Sequence, residues 1–197
     1  MSAHASRPSA HRPAAGFTLV EIMIGSSIGS FVLLGILSAF LTLGRSGARL
    51  FNYNVMETES RRALDEFSQD VRMASDVVWN SSSSITLTVP DNYTSNANQV
   101  TYAYDSSTSG ATKTSFYRTP SNSDATDVTS KTVLVHNVTS CIYKRYDRST
   151  PAVAATTDVS TKRIELALKI SITSTTTVAA TENAISATYL LRNKLAN

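Results

Sequence analysis

Glu21 is an isolated carboxylate at the start of a long apolar segment, and no other charged residue follows it until Arg45. An ionisable group inside a membrane helix costs on the order of 3 kcal/mol at the helix centre. Groups that are kept despite this cost usually have a function. Glu21 is therefore the first candidate for a functional residue in this sequence.

The residue types needed for catalysis are sparse in the rest of the sequence. After residue 16 the chain has one histidine, His136, and one cysteine, Cys141. A lone histidine cannot form a histidine-rich metal site, and a lone cysteine cannot form a disulfide within the chain. We expect His136 to lie in a strand and Cys141 to be a buried small hydrophobe.

Several scattered carboxylates fall in predicted turns, where capping of the local backbone explains them better than calcium binding. They are Asp91, Asp105, Asp124, Asp127 and Asp158. Nucleophile-elbow and phosphate-loop motifs are also missing from the sequence. The sequence thus predicts a protein that is not an enzyme and that has no cofactor and no metal site.

The apolar segment has the length of a membrane-spanning helix. Residues 22–43 would form a helix of about 33 Å, close to the thickness of a bilayer's hydrocarbon core. Arg7 and Arg12 precede it, and positive charge before an apolar segment keeps that end in the cytoplasm. We predict a leader at residues 1–16 and a membrane helix at 17–44, with the C-terminal part in the periplasm.

A secretory signal peptide would have the same positively charged start. The apolar segment is long for such a signal, and no clean A-x-A cleavage site follows it. A plain signal-anchor helix is a further alternative, but it gives no reason for Glu21.

Two glycines in the apolar segment, Gly25 and Gly29, are four residues apart. Small residues at this spacing let membrane helices approach each other closely. Packing against neighbouring helices is one interpretation. A generic membrane helix, in which glycine is common, is the other.

The stretch Gly16-Phe17-Thr18-Leu19-Val20-Glu21 before an uncharged helix closely resembles the N-terminal signal of type IV pilins and pseudopilins. The resemblance implies that a prepilin peptidase cuts between Gly16 and Phe17 and that Phe17 becomes N-methylated. It also implies that Glu21 pairs with the terminal amine of a neighbouring subunit during assembly. The partners it implies are the peptidase, other pilins or pseudopilins and an inner-membrane assembly platform.

The pattern changes to an amphipathic helix over residues 45–80. Apolar and small residues there recur at three- and four-residue steps. They are Met56, Ser60, Ala63, Phe67, Val71, Ala74 and Val78. One face of this helix should therefore pack on a folded domain.

Residues 81–197 alternate between short apolar runs and turns, which predicts an antiparallel sheet. The clearest strand is 162–173, with alternate residues apolar, and the last strand is 184–191. Further strands are predicted at 85–89, 100–104, 114–118, 132–138 and 141–146. The fold class is α+β, with the sheet packed on the C-terminal half of the long helix. This arrangement resembles the pilin fold, and the strand ends are most similar to J-type pseudopilins and W-type minor pilins.

The segment Tyr143-Lys144-Arg145-Tyr146-Asp147-Arg148 interleaves aromatic and basic residues, a composition that can stack on single-stranded nucleic acid. An exposed strand with basic residues that guard its edge is the simpler interpretation. Loss of Arg7 and Arg12 with the leader lowers the formal net charge from +3 to +1. A chain so close to neutral argues against nucleic-acid binding.

Together these features predict a minor pilin or pseudopilin, extracted from the inner membrane into a type IV pilus or a type II secretion pseudopilus. Two other functions stay open at this point. One is a filament-tip binding module that captures a surface or DNA. The other is a signal-anchored periplasmic protein that is never assembled.

Overall fold

The computed structural model describes residues 16–89, 98–120, 131–149, 151–173 and 180–194. Within these ranges the chain forms one long helix, α1 (Leu19–Met73), followed by eight strands. The strands are β1 (Asp76–Ser81), β2 (Ser84–Thr88), β3 (Gln99–Asp105), β4 (Ser115–Pro120), β5 (Thr132–Val135), β6 (Val138–Tyr146), β7 (Arg163–Ile172) and β8 (Thr181–Leu190). The chain divides into two compact units after Gly44.

In the first unit, α1 exposes apolar side chains around its whole circumference. Phe31, Leu33, Leu37 and Phe40 are all exposed, and the most apolar window of the helix has no buried residue. In the part of the chain that the structure describes, α1 is the one helix that is long enough and apolar enough to cross a membrane. A helix that is apolar all round needs hydrocarbon or protein around it, so this pattern is that of a membrane-anchored protein with a single pass.

In the second unit, one face of α1 enters the core. The buried residues of α1 recur at three- and four-residue steps, and they are Met56, Ser60, Ala63, Phe67, Asp70 and Val71. The amphipathic stripe predicted from the sequence is confirmed up to Ala74, which is fully buried just after the helix. Asp70 is the one buried residue of this stripe that the sequence pattern did not predict.

The helix ends at Met73, before the boundary predicted at residue 80. Residues Asp76–Ser81 instead form β1, which pairs antiparallel with β2 from Asp76↔Thr88 to Ser81↔Ser84. Val77, Val78 and Trp79 are β-branched or aromatic and favour a strand. Only Val77 of these three is fully buried, so the segment has the one-sided burial of an edge strand.

The strands form two antiparallel sheets. Sheet A has the order β1-β2-β3-β4-β5, so each strand pairs with its neighbour in sequence, and sheet B has the order β6-β7-β8. The α+β arrangement expected from the sequence is confirmed. The division into two sheets falls inside the predicted strand 132–138, where Asn137 has a left-handed φ of 56° that asparagine tolerates and that turns the chain.

His136 lies at this bend rather than inside a strand, which corrects the prediction made for it. Its side chain is exposed, and its Nδ1 lies 3.3 Å from Glu59 Oε1. The His136 backbone N–H donates to Glu59 Oε2 at 3.0 Å. The two contacts tie the junction between the sheets to α1.

Phe67 lies at the centre of the core and contacts both sheets. Its ring centroid is 5.0 Å from that of Tyr102 on β3, 6.0 Å from Tyr143 on β6 and 5.3 Å from Tyr189 on β8. The contacts with Tyr102 and Tyr189 are edge-to-face, an arrangement that aromatic rings favour beyond simple area burial. A single helix residue therefore joins α1, sheet A and sheet B.

A buried carboxylate fixes the helix against sheet A. The side chain of Asp70 is 4% exposed, and its Oδ2 accepts a hydrogen bond of 2.5 Å from Tyr102 Oη. Arg118 Nε on β4 lies 3.2 Å from the same Asp70 oxygen and 3.3 Å from Glu66 Oε1. A buried charge is tolerated when it is paired and hydrogen-bonded, and Asp70 meets both conditions.

The C-terminal segment is held by a second buried charge. Lys194 Nζ lies 3.1 Å from Asp76 Oδ1 on β1 and donates to the carbonyl of Asp158. Its side chain is 5% exposed. Lys162 Nζ donates in turn to the carbonyls of Leu191 and Lys194. The end of the described chain is thus fastened to β1 and to the start of β7.

Replacement of Phe67 by alanine should destabilise the second unit by about 3–5 kcal/mol, because it removes the ring that three tyrosines contact. Urea denaturation of the full chain in detergent micelles, followed by fluorescence of the single tryptophan Trp79, measures the effect. Phe51→Ala on the same helix is the control, since Phe51 is 69% exposed and its loss should change stability by less than about 0.5 kcal/mol. Equal losses for the two variants would contradict a core centred on Phe67.

Lys194→Met should cost about 1–2 kcal/mol in the same assay, because the carbonyl of Asp158 loses a charged donor inside the protein. Lys169→Met is the matched control. Lys169 is also paired, with Glu182 at 3.1 Å, but it is half exposed, so its loss should be nearly neutral. A Lys194 variant as stable as the Lys169 variant would show that the C-terminal fastening is weak.

Candidate functional site

The chemistry expected from the sequence centres on the first residues of α1, and the structure shows how they are held. Thr18 precedes the helix, and its carbonyl accepts the first helical hydrogen bond from Ile22 N–H at 3.2 Å. The Thr18 N–H and hydroxyl donate to Glu21 Oε2 at 2.9 and 3.0 Å. Glu21 N–H donates back to Thr18 Oγ1 at 3.3 Å. Thr18 and Glu21 together form a capping box.

The capping box gives Glu21 a local role that sequence reasoning missed. The signal was present as Thr18-Leu19-Val20-Glu21, the S/T-x-x-E spacing that precedes an apolar helix. A carboxylate at this end of a helix also interacts favourably with the helix dipole. Among the described contacts, the hydrogen bonds to the Glu21 carboxylate all end on Oε2. None of these described hydrogen bonds ends on Oε1.

The bond between Gly16 and Phe17 precedes the helix. Residues 16–18 are not helical, and α1 begins at Leu19. The side chain of Phe17 is 84% exposed, and a Cβ added at Gly16 would meet no atom within 4 Å. The bond therefore lies outside the helix, at exposed residues. The leader residues 1–15, with Arg7 and Arg12, lie outside the described residues.

Gly25 and Gly29 lie one helical turn apart on the same face of α1. A Cβ added at either position would meet no atom within 4 Å, so contacts within the chain give no reason for glycine there. The serine hydroxyls beside them bond to the helix backbone; Ser27 Oγ, for example, donates to the Met23 carbonyl at 2.6 Å. Close packing of Gly25 and Gly29 against another helix stays a prediction.

The aromatic and basic segment at the end of β6 makes several contacts within the chain. Tyr143 is buried against Phe67 and Trp79, and its hydroxyl has no hydrogen-bond partner among the described residues. Burial raises the pKa of Tyr143 well above its usual value. Tyr146 Oη donates to Glu165 Oε2 at 2.7 Å, and Lys144 Nζ lies 3.2 Å from Glu165 Oε1.

Arg145 from the same segment is part of an internal contact. Its Nη1 lies 2.5 Å from Asp158 Oδ1, and its guanidinium lies 5.1 Å from the ring centroid of Trp79. Asp158 Oδ2 also accepts a hydrogen bond from the backbone N–H of Trp79 at 3.2 Å. These side chains hold the chain before β7 against β1 and so contribute to the fold. Asp158 was predicted to cap the local backbone, but these partners, Arg145 and Trp79, are distant in sequence.

Asp105, at the end of β3, does bond locally. Asp105 accepts hydrogen bonds from Ser107 N–H at 2.9 Å and from the Thr112 hydroxyl at 2.7 Å. Desolvation raises the pKa of Asp105, but the hydrogen bonds from Ser107 and Thr112 together with the charge of Lys131 outweigh it, so the pKa is lowered. Asp91, Asp124 and Asp127, which were also predicted to lie in turns, are outside the described residues.

Cys141 is buried in β6, as expected from the sequence, with 5% of its surface exposed. Burial raises the pKa of its thiol to about 12. The thiolate is the reactive form, so a thiol with this pKa is inert near neutral pH.

Comparison with known proteins supports the assignment of the N-terminal site. Residues 11–37 match the family model of the prokaryotic N-terminal methylation motif. This match supports a prepilin of the type IV pilin or pseudopilin kind, which is a substrate of prepilin peptidase and assembles with other pilins. Proteins of this kind are structural subunits. A search of curated proteins finds no match to the chain.

Cys141 should resist a disulfide-exchange reagent at pH 8 while the protein is folded and react completely in denaturant, because only about one thiol in 10,000 is ionised at that pH with a pKa of about 12. The absorbance of the released thiol measures the reaction. A second thiol introduced by Ser106→Cys, at an exposed position, should react at once in the folded protein. Equally fast reaction of both thiols would contradict the burial of Cys141.

Proposed function

We propose that this chain is a minor pilin or pseudopilin, built into a type IV pilus or a type II secretion pseudopilus, at or near its tip. The observation that carries the proposal is the methylation motif at residues 11–37, which runs into the apolar half of α1. A membrane-anchored structural subunit needs both features, and a secreted soluble protein needs neither. The domains we propose are a leader at 1–16, a membrane helix at 17–44, the amphipathic part of the helix, and a β domain.

The proposed pathway begins with cleavage of the Gly16–Phe17 bond on the cytoplasmic side of the inner membrane. Phe17 then carries the new terminal amine, which is N-methylated. The helix waits in the bilayer with the globular domain in the periplasm. In this state the hydrogen bonds from Thr18 satisfy one oxygen of the Glu21 carboxylate. They lower the free-energy cost of keeping a charge at the edge of lipid.

Assembly moves the helix out of lipid and into contact with neighbouring helices. The amine of a partner subunit then binds the Glu21 carboxylate, with Oε1 as the oxygen that the capping box leaves open. A paired charge is far less costly in an apolar surrounding than an isolated one, so the pairing favours the assembled state. Gly25 and Gly29 would let the neighbouring helix approach closely.

The intact mass and the N-terminal residue of the protein from its host's membrane test the processing step. A chain that begins at Phe17 and carries one methyl group is expected. A chain that still begins at Met1 would show an unprocessed signal anchor. Cleavage after the apolar segment would show a secreted β domain, and the role of Glu21 in assembly would be excluded.

Three variants separate the charge of Glu21 from its capping role. Glu21→Ala and Glu21→Gln should be processed nearly as the wild type but should incorporate into filaments poorly, because both lack the charge that meets the partner's amine. Thr18→Ala weakens only the cap, which costs about 1 kcal/mol of local helix stability, and should incorporate better than either. Immunoblots of membrane and sheared-filament fractions measure incorporation. Normal incorporation of Glu21→Gln would show that the carboxylate serves only as a cap.

A further inference from the structure

A short stretch of α1 just beyond the apolar segment has an unusual charge pattern. Between Glu21 and Glu57 the only charged residues are Arg45 and Arg49. Both arginine side chains are exposed, and neither takes part in an ion pair that the structure describes. This stretch therefore carries two positive charges without a carboxylate to balance them.

Arg45, Arg49 and Tyr53 follow one another at four-residue steps and so share one face of the helix. The same face continues through Met56 and Ser60, which are buried in the core of the second unit. A face made to enter a protein interior would stay apolar. The two guanidinium groups indicate that the face meets a hydrated, negatively charged surrounding before it meets the core.

Large apolar side chains lie among these arginines. Leu50 is 64% exposed, Phe51 is 69% exposed and Tyr53 is 45% exposed. Exposed cations mixed with exposed aliphatic and aromatic side chains suit the boundary between lipid tails and headgroups, where aromatic rings and arginines are both favoured. Residues 45–53 are called the juxtamembrane segment below.

The length of the preceding segment places these residues at that boundary. Residues 22–44 are uncharged and would span about 34 Å as a helix, close to the thickness of the hydrocarbon core. Arg45 is the first residue after this span, and Arg49 follows one turn later. Both would lie at the depth of the phosphate groups.

We propose that the juxtamembrane segment binds the phosphates of anionic phospholipid headgroups, such as phosphatidylglycerol, through Arg45 and Arg49. The inference rests on the proposed membrane stage of the protein. It adds a step to that stage, because the lipid contacts hold the domain at the bilayer surface. Extraction of the helix into a filament must break them.

Native mass spectrometry of the full-length chain, released from nanodiscs that contain equal phosphatidylglycerol and phosphatidylcholine, tests the proposal. The wild type should retain more phosphatidylglycerol than phosphatidylcholine. Arg45→Gln with Arg49→Gln should lower the ratio of retained phosphatidylglycerol to phosphatidylcholine by roughly 10- to 30-fold, the effect expected of two surface charges. Arg45→Lys with Arg49→Lys should keep most of the preference, since the attraction is mainly electrostatic.

The control removes the same number of charges from the same helix. Arg61 and Arg72 are exposed and lie further along α1, in the part that packs on the sheets, so Arg61→Gln with Arg72→Gln should retain lipid as the wild type does. A glutamine variant of Arg45 and Arg49 with the wild-type ratio would overturn the proposal. Loss of the preference on addition of millimolar inorganic phosphate would overturn it as well, because the site would then be a general anion site.

The two proposals fail in different ways. A chain that does not enter nanodiscs at all would overturn the membrane stage and this inference together. A chain that enters nanodiscs, but shows no lipid preference, would overturn this inference alone. If the Arg45 and Arg49 variants keep their lipid but fail to enter filaments, the segment is a contact between subunits and the lipid assignment is wrong.

Discussion

The contact between Phe67 and three tyrosines holds the second unit together. Sheet A and sheet B each have a buried face, and the buried residues of both faces belong to one core. Phe67 brings α1 into contact with Tyr102 from sheet A and with Tyr143 and Tyr189 from sheet B. Because one ring serves both sheets, the position of the helix and the positions of the sheets depend on each other. The polar contacts of the unit are arranged around this centre.

Two buried charges then determine where the helix and the chain end are fixed. Asp70 lies one turn after Phe67 and bonds to Tyr102, which itself contacts Phe67. The same tyrosine therefore contributes its ring to the aromatic cluster and its hydroxyl to the buried carboxylate. Lys194 fastens the C-terminal segment to β1. Such contacts add little net stability, but an alternative packing would leave a buried charge without a partner, and that cost excludes it.

The apolar side chains in the two halves of α1 are covered in different ways. The half in the second unit buries one stripe against the sheets and exposes charged residues on the other side. The half in the first unit leaves its apolar side chains exposed, so lipid or neighbouring helices must cover them. At its start, Thr18 and Glu21 cap the helix within the chain itself. These contacts use Oε2 of Glu21, which is compatible with the proposed pairing of Glu21 with a partner's amine.

Much of the fold follows from patterns that are local in the sequence. The apolar segment, the stripe from Met56 to Ala74 and the alternation in β7 each reflect a repeat of a few residues, so they could be predicted without knowledge of what packs against them. The motif at the start of α1 was likewise visible in the sequence as a short string, Gly16 to Glu21. Its capping box could have been predicted from the spacing of Thr18 and Glu21.

The tertiary structure decided the features that depend on distant partners. Residues 71–78 fit both a helical and a strand repeat, and the pairing of β1 with β2 selects the strand from Asp76 onward. The separation into two sheets depends on the backbone turn at Asn137, and the burial of Asp70 depends on Tyr102 and Arg118 from other strands. Tyr143 could have faced solvent or the core, because a tyrosine suits both, and the position of Phe67 places it inside. Local repeats determine which face of an element is apolar, but only the assembled chain determines which partner covers that face.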